Sequence, residues 1–478
     1  MDSASLQFVL FGLATAIVSN LGRSPAWRST VLLVASVVFL GLLAYDPIAC
    51  VPLMAFVLLG YGGRVVLERG WSKSMVWCIL LVLVFYIWLK KYTFLPDSSF
   101  LSRPYLTLGL SYVFFRVLHL LIETGDDSGR RHIGLGAYLL YTLNFTTFVS
   151  GPIQRYDEFG RDQFADQPIP LGLRAIGVQL ERIVRGFFKV NVLAMLLDMV
   201  RADALTQLFQ PLPLPLKLYA AFRLAIAYPL FLYANFSGYI DIVIAMARLM
   251  RVRLPENFDR PFAGSSVLDF WNRWHMTLSN WFKTYVYNPL LFAMMRRVSS
   301  LALQPLLGVV GFFVTFFLVG IWHGRTSEFV IFGLLTGSGI SINKLWQLGL
   351  TRTLGRKEYK ELAKKSVYVA LGRGLNFSWF AFTLFWFWAD WTRIGRIFTD
   401  LGVVQWLGVW FAVWLSASVV LAFWEWLRAT LLSIRTAEGP VFTSRYARVV
   451  YASALGLAAI VMTVLLNQAA PGIVYKAF

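Results

Sequence analysis

Charged residues are scarce in this 478-residue chain: Asp, Glu, Lys and Arg make up 14% of it, whereas 58% of the residues are hydrophobic. Soluble globular domains are nearer one quarter charged and about half apolar. So little charge cannot coat the roughly three water-soluble domains that this length would otherwise predict. The high hydrophobic content also excludes intrinsic disorder. The composition therefore predicts a protein with several membrane-spanning segments.

Cysteine and histidine are also rare, with two and four residues respectively. Cys50 and Cys78 are too few for a disulfide framework or a cysteine-based metal site, and both lie in or beside apolar stretches. The P-loop, zinc-protease and hydrolase-elbow motifs are absent from the sequence. The sequence therefore indicates neither a metal site nor a tightly bound cofactor.

Acidic residues are fewer than basic ones, 25 against 44, which gives a net charge of +19. The loop 351–366 carries six of the basic residues and two glutamates, and the positive-inside rule predicts that it is cytoplasmic. A basic cytoplasmic face also attracts anionic lipids, coenzyme phosphates or an acidic carrier protein. Nucleic-acid binding is not expected, because it would need a basic soluble domain.

Long stretches without Asp, Glu, Lys or Arg set the predicted architecture, since a helix needs about 20 mostly apolar residues to cross a membrane. Such stretches lie at 3–22, 29–45, 47–63, 74–89, 133–153, 224–240, 298–324, 374–389, 401–424 and 449–475, with shorter ones at 104–115 and 329–343. They predict roughly ten to twelve spanning helices. No segment alternates as the strands of an outer-membrane barrel do.

Two regions interrupt this pattern. Residues 171–200 mix apolar and charged side chains, which is typical of a helix at the membrane interface or packed on the bundle. Residues 251–297 are richer still in charge, aromatics and proline. Polar backbone at membrane depth must be buried in protein or line a water-filled cavity. We therefore expect the chemistry in this second region.

Two of the four histidines are candidates for that chemistry; His119 is predicted to be packed and His132 solvated. His323 ends the stretch 298–324 in G-I-W-H-G, where a neutral imidazole suits proton transfer near pH 7. The alternative is a histidine that hydrogen-bonds a neighbouring helix. His275 lies among tryptophans in D-F-W-N-R-W-H-M-T-L-S-N-W, and its alternative is a tryptophan belt with a satisfied histidine.

A carboxylate follows an apolar stretch in N-F-S-G-Y-I-D, residues 235–241. Arg248 lies seven positions after Asp241, on roughly the same helix face. The pattern favours a buried Asp241–Arg248 pair that fixes the bundle. A direct part for Asp241 in the functional site is the alternative.

Taken together, these segments resemble the membrane-bound O-acyltransferase family. The run 233–290 contains Y-A-N-F-S-G-Y-I-D, R-L-P-E-N-F-D-R-P-F and F-W-N-R-W-H-M-T-L-S-N-W-F-K-T-Y-V-Y-N-P-L. G-I-W-H-G at 320–324 and F-V-S-G-P-I-Q-R-Y-D-E-F at 148–159 resemble two further family motifs. The resemblance is to the bacterial branch of alginate O-acetyltransferases and teichoic acid D-alanyl transferases, with a motif-bearing core at about 105–350.

The resemblance implies one membrane-embedded domain over residues 1–478. It would be an all-α polytopic protein with roughly eleven transmembrane helices plus re-entrant or interfacial helices around a central channel. His323 carries over as the catalytic histidine and His275 as the second site histidine. We add further site-lining candidates from the same motifs: Asp241, Asn272, Arg273, Trp274, Trp322 and Gly324.

The resemblance also implies the substrates and partners. The donor is an acyl thioester on the cytoplasmic side, acyl-CoA or an acyl carrier protein. The acceptor is a hydroxyl of an extracytoplasmic polysaccharide, teichoic-type polymer or relay protein, with a periplasmic or extracellular acyltransferase as a partner. The expected location is the bacterial cytoplasmic membrane, among its lipids.

Several residues depart from the family pattern. Arg325 and Glu328 follow the histidine motif where relatives are usually apolar or small, and Thr336 stands where many relatives have another histidine. These departures leave the acyl group open between acetyl and D-alanyl. The final residues, G-I-V-Y-K-A-F, resemble an F-x-Y-x-x-F ending in this branch, which makes Tyr475 a candidate acyl acceptor. An interfacial tyrosine is the alternative.

The predicted function is transfer of a short acyl group to an exported polymer. A transporter or flippase is the rival from another class, because it too would place Asp241, Arg248, His275 and His323 at membrane depth. Transporters often show two related halves, and this sequence shows no such symmetry.

Overall fold

The fold is known from a computed structural model that describes residues 5–44, 46–126, 132–298, 300–436, 439–441, 444–466 and 472. Helices dominate these residues. The only strands among them, Arg435–Thr436 and Gly439–Pro440, form one short antiparallel pair. The predicted all-α class is confirmed.

The α-helices are Leu6–Leu21, Pro25–Leu43, Val51–Glu68, Met75–Leu89, Leu110–Gly125, Leu135–Thr142, Phe145–Phe148, Tyr156–Gln163, Leu173–Phe188, Met195–Leu208, Leu214–Leu249, Val267–Trp271, Met276–Phe282, Asn288–Arg297, Gln304–His323, Ser327–Leu354, Arg356–Leu362, Ser366–Thr383, Phe385–Trp388, Trp391–Leu401, Val403–Ser433 and Arg445–Leu466. Where the structure describes the chain, the 3-10 helices are Pro47–Cys50, Ser72–Ser74, Asp97–Ser99 and Pro261–Ala263, and the π-helices are Lys189–Ala194 and Lys283–Tyr287.

Within these described ranges, eight helical segments are long and apolar enough to cross a membrane: Pro25–Leu43, Pro47–Glu68, Ser72–Leu89, Leu214–Leu249, Gln304–His323, Ser327–Leu354, Val403–Ser433 and Arg445–Leu465. Leu6–Leu21 is apolar but has only 16 residues. The short stretch 329–343 belongs to a 28-residue helix, Ser327–Leu354. A polytopic membrane protein is therefore confirmed.

The chain folds into two compact units. The first takes the described residues up to 187, together with 238–256 and Gly472; the second takes 188–237 and the described residues from 257 to 466. The long helix Leu214–Leu249 is shared between them. The single domain inferred from the family resemblance stays a prediction.

Aromatic packing and hydrogen bonds stabilise the first unit. The rings of Phe8, Phe39 and Phe145 pack mutually, with centroids 5.7 to 6.4 Å apart. Beside them the hydroxyl of Ser36 accepts a hydrogen bond from the Phe145 backbone N–H at 3.1 Å. Because lipid tails are as apolar as these rings, close packing and such hydrogen bonds stabilise the helix contacts.

One predicted span, 133–153, is not a single helix. It forms Leu135–Thr142 and Phe145–Phe148, separated by a break at which Asn144 caps the second helix. The buried guanidinium of Arg116 donates hydrogen bonds to the backbone carbonyls of Tyr141, Thr142 and Thr147. Backbone groups freed by a broken helix must be satisfied inside the protein, and a buried arginine does this here. The absence of charge in the stretch could not reveal the break.

In the second unit, the helices Gln304–His323 and Ser327–Leu354 form a tightly packed hairpin. A Cβ at Gly320 would overlap the backbone of Gly333 on the facing helix, so both positions need glycine for this close approach. Only three residues connect the two helices. The tight crossing fixes the position of His323, which ends the first helix.

A second packed layer lies in the same unit. Helix Ser366–Thr383 packs against Val403–Ser433, where a Cβ at Gly374 would overlap the Ser418 hydroxyl. Its buried core contains Leu224, Phe377, Ile397, Trp406 and Val413. This layer supplies Phe380 and Phe387, which contact the candidate site described below.

Candidate active site

His275 lies in an irregular segment of the second unit. The residue has a left-handed backbone, with φ of +46°, and its side chain is buried. Two backbone hydrogen bonds flank it: Asp259 N–H to Arg273 O, and Met276 N–H to Asn257 O, both at 2.9 Å. A non-glycine residue in this conformation is strained and persists only where its surroundings hold it.

The side chain of Asn257 is the centre of the hydrogen bonds around His275. Its Oδ1 lies 3.2 Å from Nδ1 of His275. The same oxygen accepts hydrogen bonds from the backbone N–H of Thr277 at 3.1 Å and from the Thr277 hydroxyl at 2.9 Å. Asn257 is fully buried. The sequence contained this residue, in R-L-P-E-N-F-D-R-P-F, but nothing in the linear pattern distinguished it from its neighbours.

Aromatic rings enclose the imidazole of His275. Phe236 meets it edge-on with centroids 4.9 Å apart. Phe236 in turn contacts Phe258, which packs on Trp274. His275 lies outside the eight candidate spans, and its burial lowers its pKa to about 3. The imidazole is therefore neutral at pH 7, with one ring nitrogen that can accept a hydrogen bond.

His323 is the last residue of helix Gln304–His323 and is also buried. Its ring packs against those of Trp322, Phe332 and Phe387, with centroids 4.8, 5.8 and 5.2 Å away. Gly324 follows it, and a Cβ there would overlap the ring of Phe329. The helix end and the glycine place the imidazole in a buried surrounding of aromatic rings.

The segment that leads to His275 packs on the helix that ends at His323. The ring of Trp271 lies 5.1 Å from that of Phe316, which is two helical turns before His323. Trp271 also touches Phe380 of the second layer. The two predicted site histidines therefore belong to one packed unit, with separate aromatic surroundings.

The remaining candidates occupy mixed positions in the second unit. Trp274 and Trp322 are buried, and Trp274 stacks on Phe270 with centroids 5.7 Å apart. Asn272 is exposed, and Arg273 is half-buried in ion pairs with Asp269 and Asp259. Asn272 and Arg273 are thus more exposed than the two histidines, and their lining of a site stays a prediction.

Asp241 belongs to the first unit, and the Asp241–Arg248 pair predicted from the sequence is wrong. Its carboxylate instead accepts hydrogen bonds from Nε of Arg182 at 2.8 Å and Nε of Arg185 at 3.4 Å. Arg248 donates to the backbone carbonyl of Pro170 at 2.8 Å. Helical periodicity puts Asp241 and Arg248 on roughly the same face of one helix. It cannot detect the second helix, Leu173–Phe188, which crosses there and supplies the arginines that bind Asp241.

A close helix crossing is the reason for this pairing. A Cβ at Gly186 would lie 2.6 Å from the Gly238 carbonyl oxygen, so helix Leu173–Phe188 meets Leu214–Leu249 backbone to backbone. Arg182 lies one turn before Gly186, and Asp241 one turn after Gly238. Residues 171–200 thus contain a packed helix, as expected; its place at a membrane interface stays a prediction.

The departures from the family pattern have structural partners. Glu328 accepts a hydrogen bond from the backbone N–H of Trp391 at 3.1 Å, at the start of helix Trp391–Leu401. A carboxylate at a helix N-terminus satisfies a free donor and complements the helix dipole. The hydroxyl of Thr336 donates to the Phe332 carbonyl at 2.6 Å within its own helix. Glu328 therefore caps a neighbouring helix, whereas the Thr336 hydroxyl bonds within its own helix.

Two further expectations concern metals and the C-terminus. Among the described residues, no group of three or more His, Cys, Asp or Glu side chains is arranged to hold a metal ion. Tyr475 lies outside the described residues. Its role as an acyl acceptor stays a prediction.

Comparison with known proteins gives a family match. The sequence model of the membrane-bound O-acyltransferase family matches residues 65–378, which include both site histidines. The chain is 34% identical over 249 residues to "Teichoic acid D-alanyltransferase" from Streptococcus thermophilus, covering 50% of this chain and 57% of that protein.

Two other relatives are acetyl transferases by name. The chain is 30% identical over 250 residues to "Probable alginate O-acetylase" from Pseudomonas syringae, covering 52% of this chain and 45% of that protein. It is 29% identical over 246 residues to "Peptidoglycan O-acetyltransferase" from Helicobacter pylori, covering 51% and 43%. The chain thus spans about half the length of the curated relatives it matches.

Proposed function

The chain belongs to the membrane-bound O-acyltransferase family, and on that premise we propose that it transfers a short acyl group, acetyl or D-alanyl, from a thioester to a hydroxyl. The family match over 65–378 is the observation that carries the proposal, because it contains both buried histidines. The acceptor is an extracytoplasmic polysaccharide, a teichoic-type polymer or a relay protein. The protein acts from the bacterial cytoplasmic membrane.

The reaction assigns His323 as the general base. The acceptor hydroxyl attacks the thioester carbonyl while the Nε2 or Nδ1 lone pair of His323 takes its proton. Collapse of the tetrahedral intermediate breaks the carbon–sulfur bond, and the thiolate leaves with that proton as a thiol. Burial among Trp322, Phe332 and Phe387 supports this role, since a water-poor site limits hydrolysis of the thioester.

The test is thioester turnover by the purified protein in lipid nanodiscs. With acetyl-CoA, or D-alanyl carrier protein, and an acceptor polymer, we expect thiol release to equal the ester formed on the acceptor. Movement of polymer across a vesicle membrane without thiol release would instead support a transporter. The expected chemistry uses the protein's own residues and no tightly bound cofactor.

The donor partner is acyl-CoA or an acidic acyl carrier protein, both of them anionic. The basic residues of 351–366 are exposed. The ammonium of Lys364 donates a hydrogen bond to the Glu361 carboxylate at 2.8 Å, which lowers the pKa of that glutamate. The double variant Lys364→Glu/Lys365→Glu is expected to raise the donor KM by about tenfold, because its negative charges repel an anionic donor. The measurement is made at low salt, since dissolved ions screen exposed charges.

A matched control is Arg296→Glu/Arg297→Glu, which reverses two exposed basic residues at the end of another helix. We expect this control to leave the donor KM within about twofold, as surface charges away from a docking face contribute little. An unchanged KM in the Lys364/Lys365 variant would leave the segment 351–366 as an orientation signal only.

Tyr475 is proposed as an intramolecular acyl acceptor that passes the group to a periplasmic or extracellular acyltransferase. Its phenol oxygen would form an ester with the acyl group as the donor thiol leaves. With donor present and acceptor absent, intact-mass measurement is expected to show one added acyl group, lost in Tyr475→Phe. An unmodified wild-type chain would rule out the relay.

A further inference from the structure

We propose that Asn257 is a positioning residue that fixes the tautomer of His275, so that the lone pair of this ring lies at Nε2 and not at Nδ1. This inference rests on the proposed acyl transfer for its meaning in catalysis. The geometry itself comes from three contacts to one oxygen atom of Asn257.

The orientation of the Asn257 amide follows from one backbone group. A backbone N–H can only donate, and that of Thr277 points to the Asn257 terminal atom at 3.1 Å. This atom must therefore be the oxygen, because an NH₂ group there would face another donor. The Thr277 hydroxyl also reaches the same atom at 2.9 Å.

The amide orientation then decides the proton on His275. Oδ1 of Asn257 can only accept, and Nδ1 of His275 lies 3.2 Å from it. A neutral imidazole carries one N–H, so the hydrogen bond places that N–H at Nδ1. The lone pair of the ring is consequently at Nε2.

The surrounding backbone keeps Asn257 and His275 together. The Met276 N–H donates to the backbone carbonyl of Asn257 at 2.9 Å. The adjacent residues Phe258 and Trp274 form an antiparallel β-bridge. His275 itself has a left-handed backbone with φ of +46°, which needs such support. The backbone contacts between the segments that carry Asn257 and His275 thus hold the imidazole in one orientation.

A fixed tautomer limits what His275 can do. With its N–H held by Asn257, the ring cannot donate a hydrogen bond from Nε2 to the thioester carbonyl. It can accept one from a hydroxyl of the acceptor. On the proposed acyl transfer, His275 can therefore only accept a hydrogen bond through Nε2, and polarisation of the carbonyl falls to other groups.

The direct test is the proton position on His275 in the full chain. The protein has only four histidines, so ¹⁵N-histidine labelling and solid-state NMR in lipid bilayers give few signals. The His275 signals are assigned by their loss in His275→Gln. We expect Nδ1–H in the wild type and a mixture of tautomers in Asn257→Ala. Nε2–H in the wild type would overturn the proposal.

The second test uses the pH profile of acyl transfer. Asn257→Asp keeps an accepting oxygen but adds a negative charge, which favours the protonated imidazole and raises its pKa. The acid limb of kcat/KM is expected to move up by about one to two pH units. Asn257→Ala is expected to lower kcat by about 10- to 100-fold, in the range of partners that orient a site histidine.

Thr277→Val is the matched control, since it removes the hydroxyl but keeps the backbone N–H that orients the amide. We expect it to keep the Nδ1–H tautomer and the wild-type pH profile. An unshifted profile in Asn257→Asp, with only a uniform loss of activity, would show a purely structural role. The NMR measurement needs no turnover, so it tests the tautomer even if acyl transfer is not found.

Discussion

Replacing His323 with alanine is expected to lower acyl transfer by about 10²- to 10⁴-fold, the usual contribution of a positioned general base. A hydroxyl has far too high a pKa to attack a thioester unaided at neutral pH. The loss should appear in kcat, since proton removal occurs during attack and not during binding. The measurement is thiol release in membranes that contain normal amounts of the variant. Full activity would exclude His323 as the base.

The experiment must distinguish the loss of packing around His323 from the loss of its proton-accepting nitrogen. The imidazole of His323 fills space between Phe332 and Phe387, so truncation to alanine leaves a cavity that costs stability. His323→Gln keeps most of the volume but cannot take a proton at neutral pH. We expect it to be folded, with a Tm near that of the wild type, and as inactive as the alanine variant.

His132→Ala is the control for loss of a histidine as such. His132 is 86% exposed in its side chain and belongs to the first unit, so its removal is expected to leave activity unchanged. Equal losses in the variants of His323 and His132 would indicate a general effect on the membrane protein. A loss confined to His323 supports the assignment of the base.

The helical class could be predicted from the sequence, and His275 and His323 could be selected as candidates, because both steps depend on local patterns. Apolar length is a property of single helices, and the motifs around His275 and His323 are continuous runs of residues. The break within 133–153 was not predictable in this way. It depends on Arg116, which lies in another helix and satisfies the carbonyls that the break exposes.

Asn257 was missed for a related reason. It lies 18 positions before His275, and the backbone contacts between the two segments, including the bridge between Phe258 and Trp274, bring the two side chains together. The left-handed backbone of His275 has no signature in the sequence either, because it is imposed by these non-local contacts. Candidate residues could be chosen from the sequence, whereas the side chains that each of them contacts depend on the folded chain.

Asp241 gives the second large effect, this time on stability. The side chain of Asp241 is only 9% exposed, and it accepts hydrogen bonds from Arg182 and Arg185. Asp241→Leu is expected to lower the free energy of unfolding by about 1 to 3 kcal/mol, because it removes the buried acceptor of Arg182 and Arg185, although Arg182 keeps Glu256. The measurement is reversible unfolding in lipid bicelles, with the wild type and Arg182→Leu compared under the same conditions.

A double-mutant cycle identifies the partner of Asp241. Because Arg182 donates to both Asp241 and Glu256, its own replacement costs more than one pair, and only the coupling energy isolates the contact. We expect Asp241 and Arg182 to couple by about 1 to 3 kcal/mol, and Asp241 and Arg248 by less than about 0.5 kcal/mol. The opposite result would restore the pairing that helical periodicity predicts, and would contradict the crossing at Gly186 and Gly238 that brings Arg182 to the carboxylate.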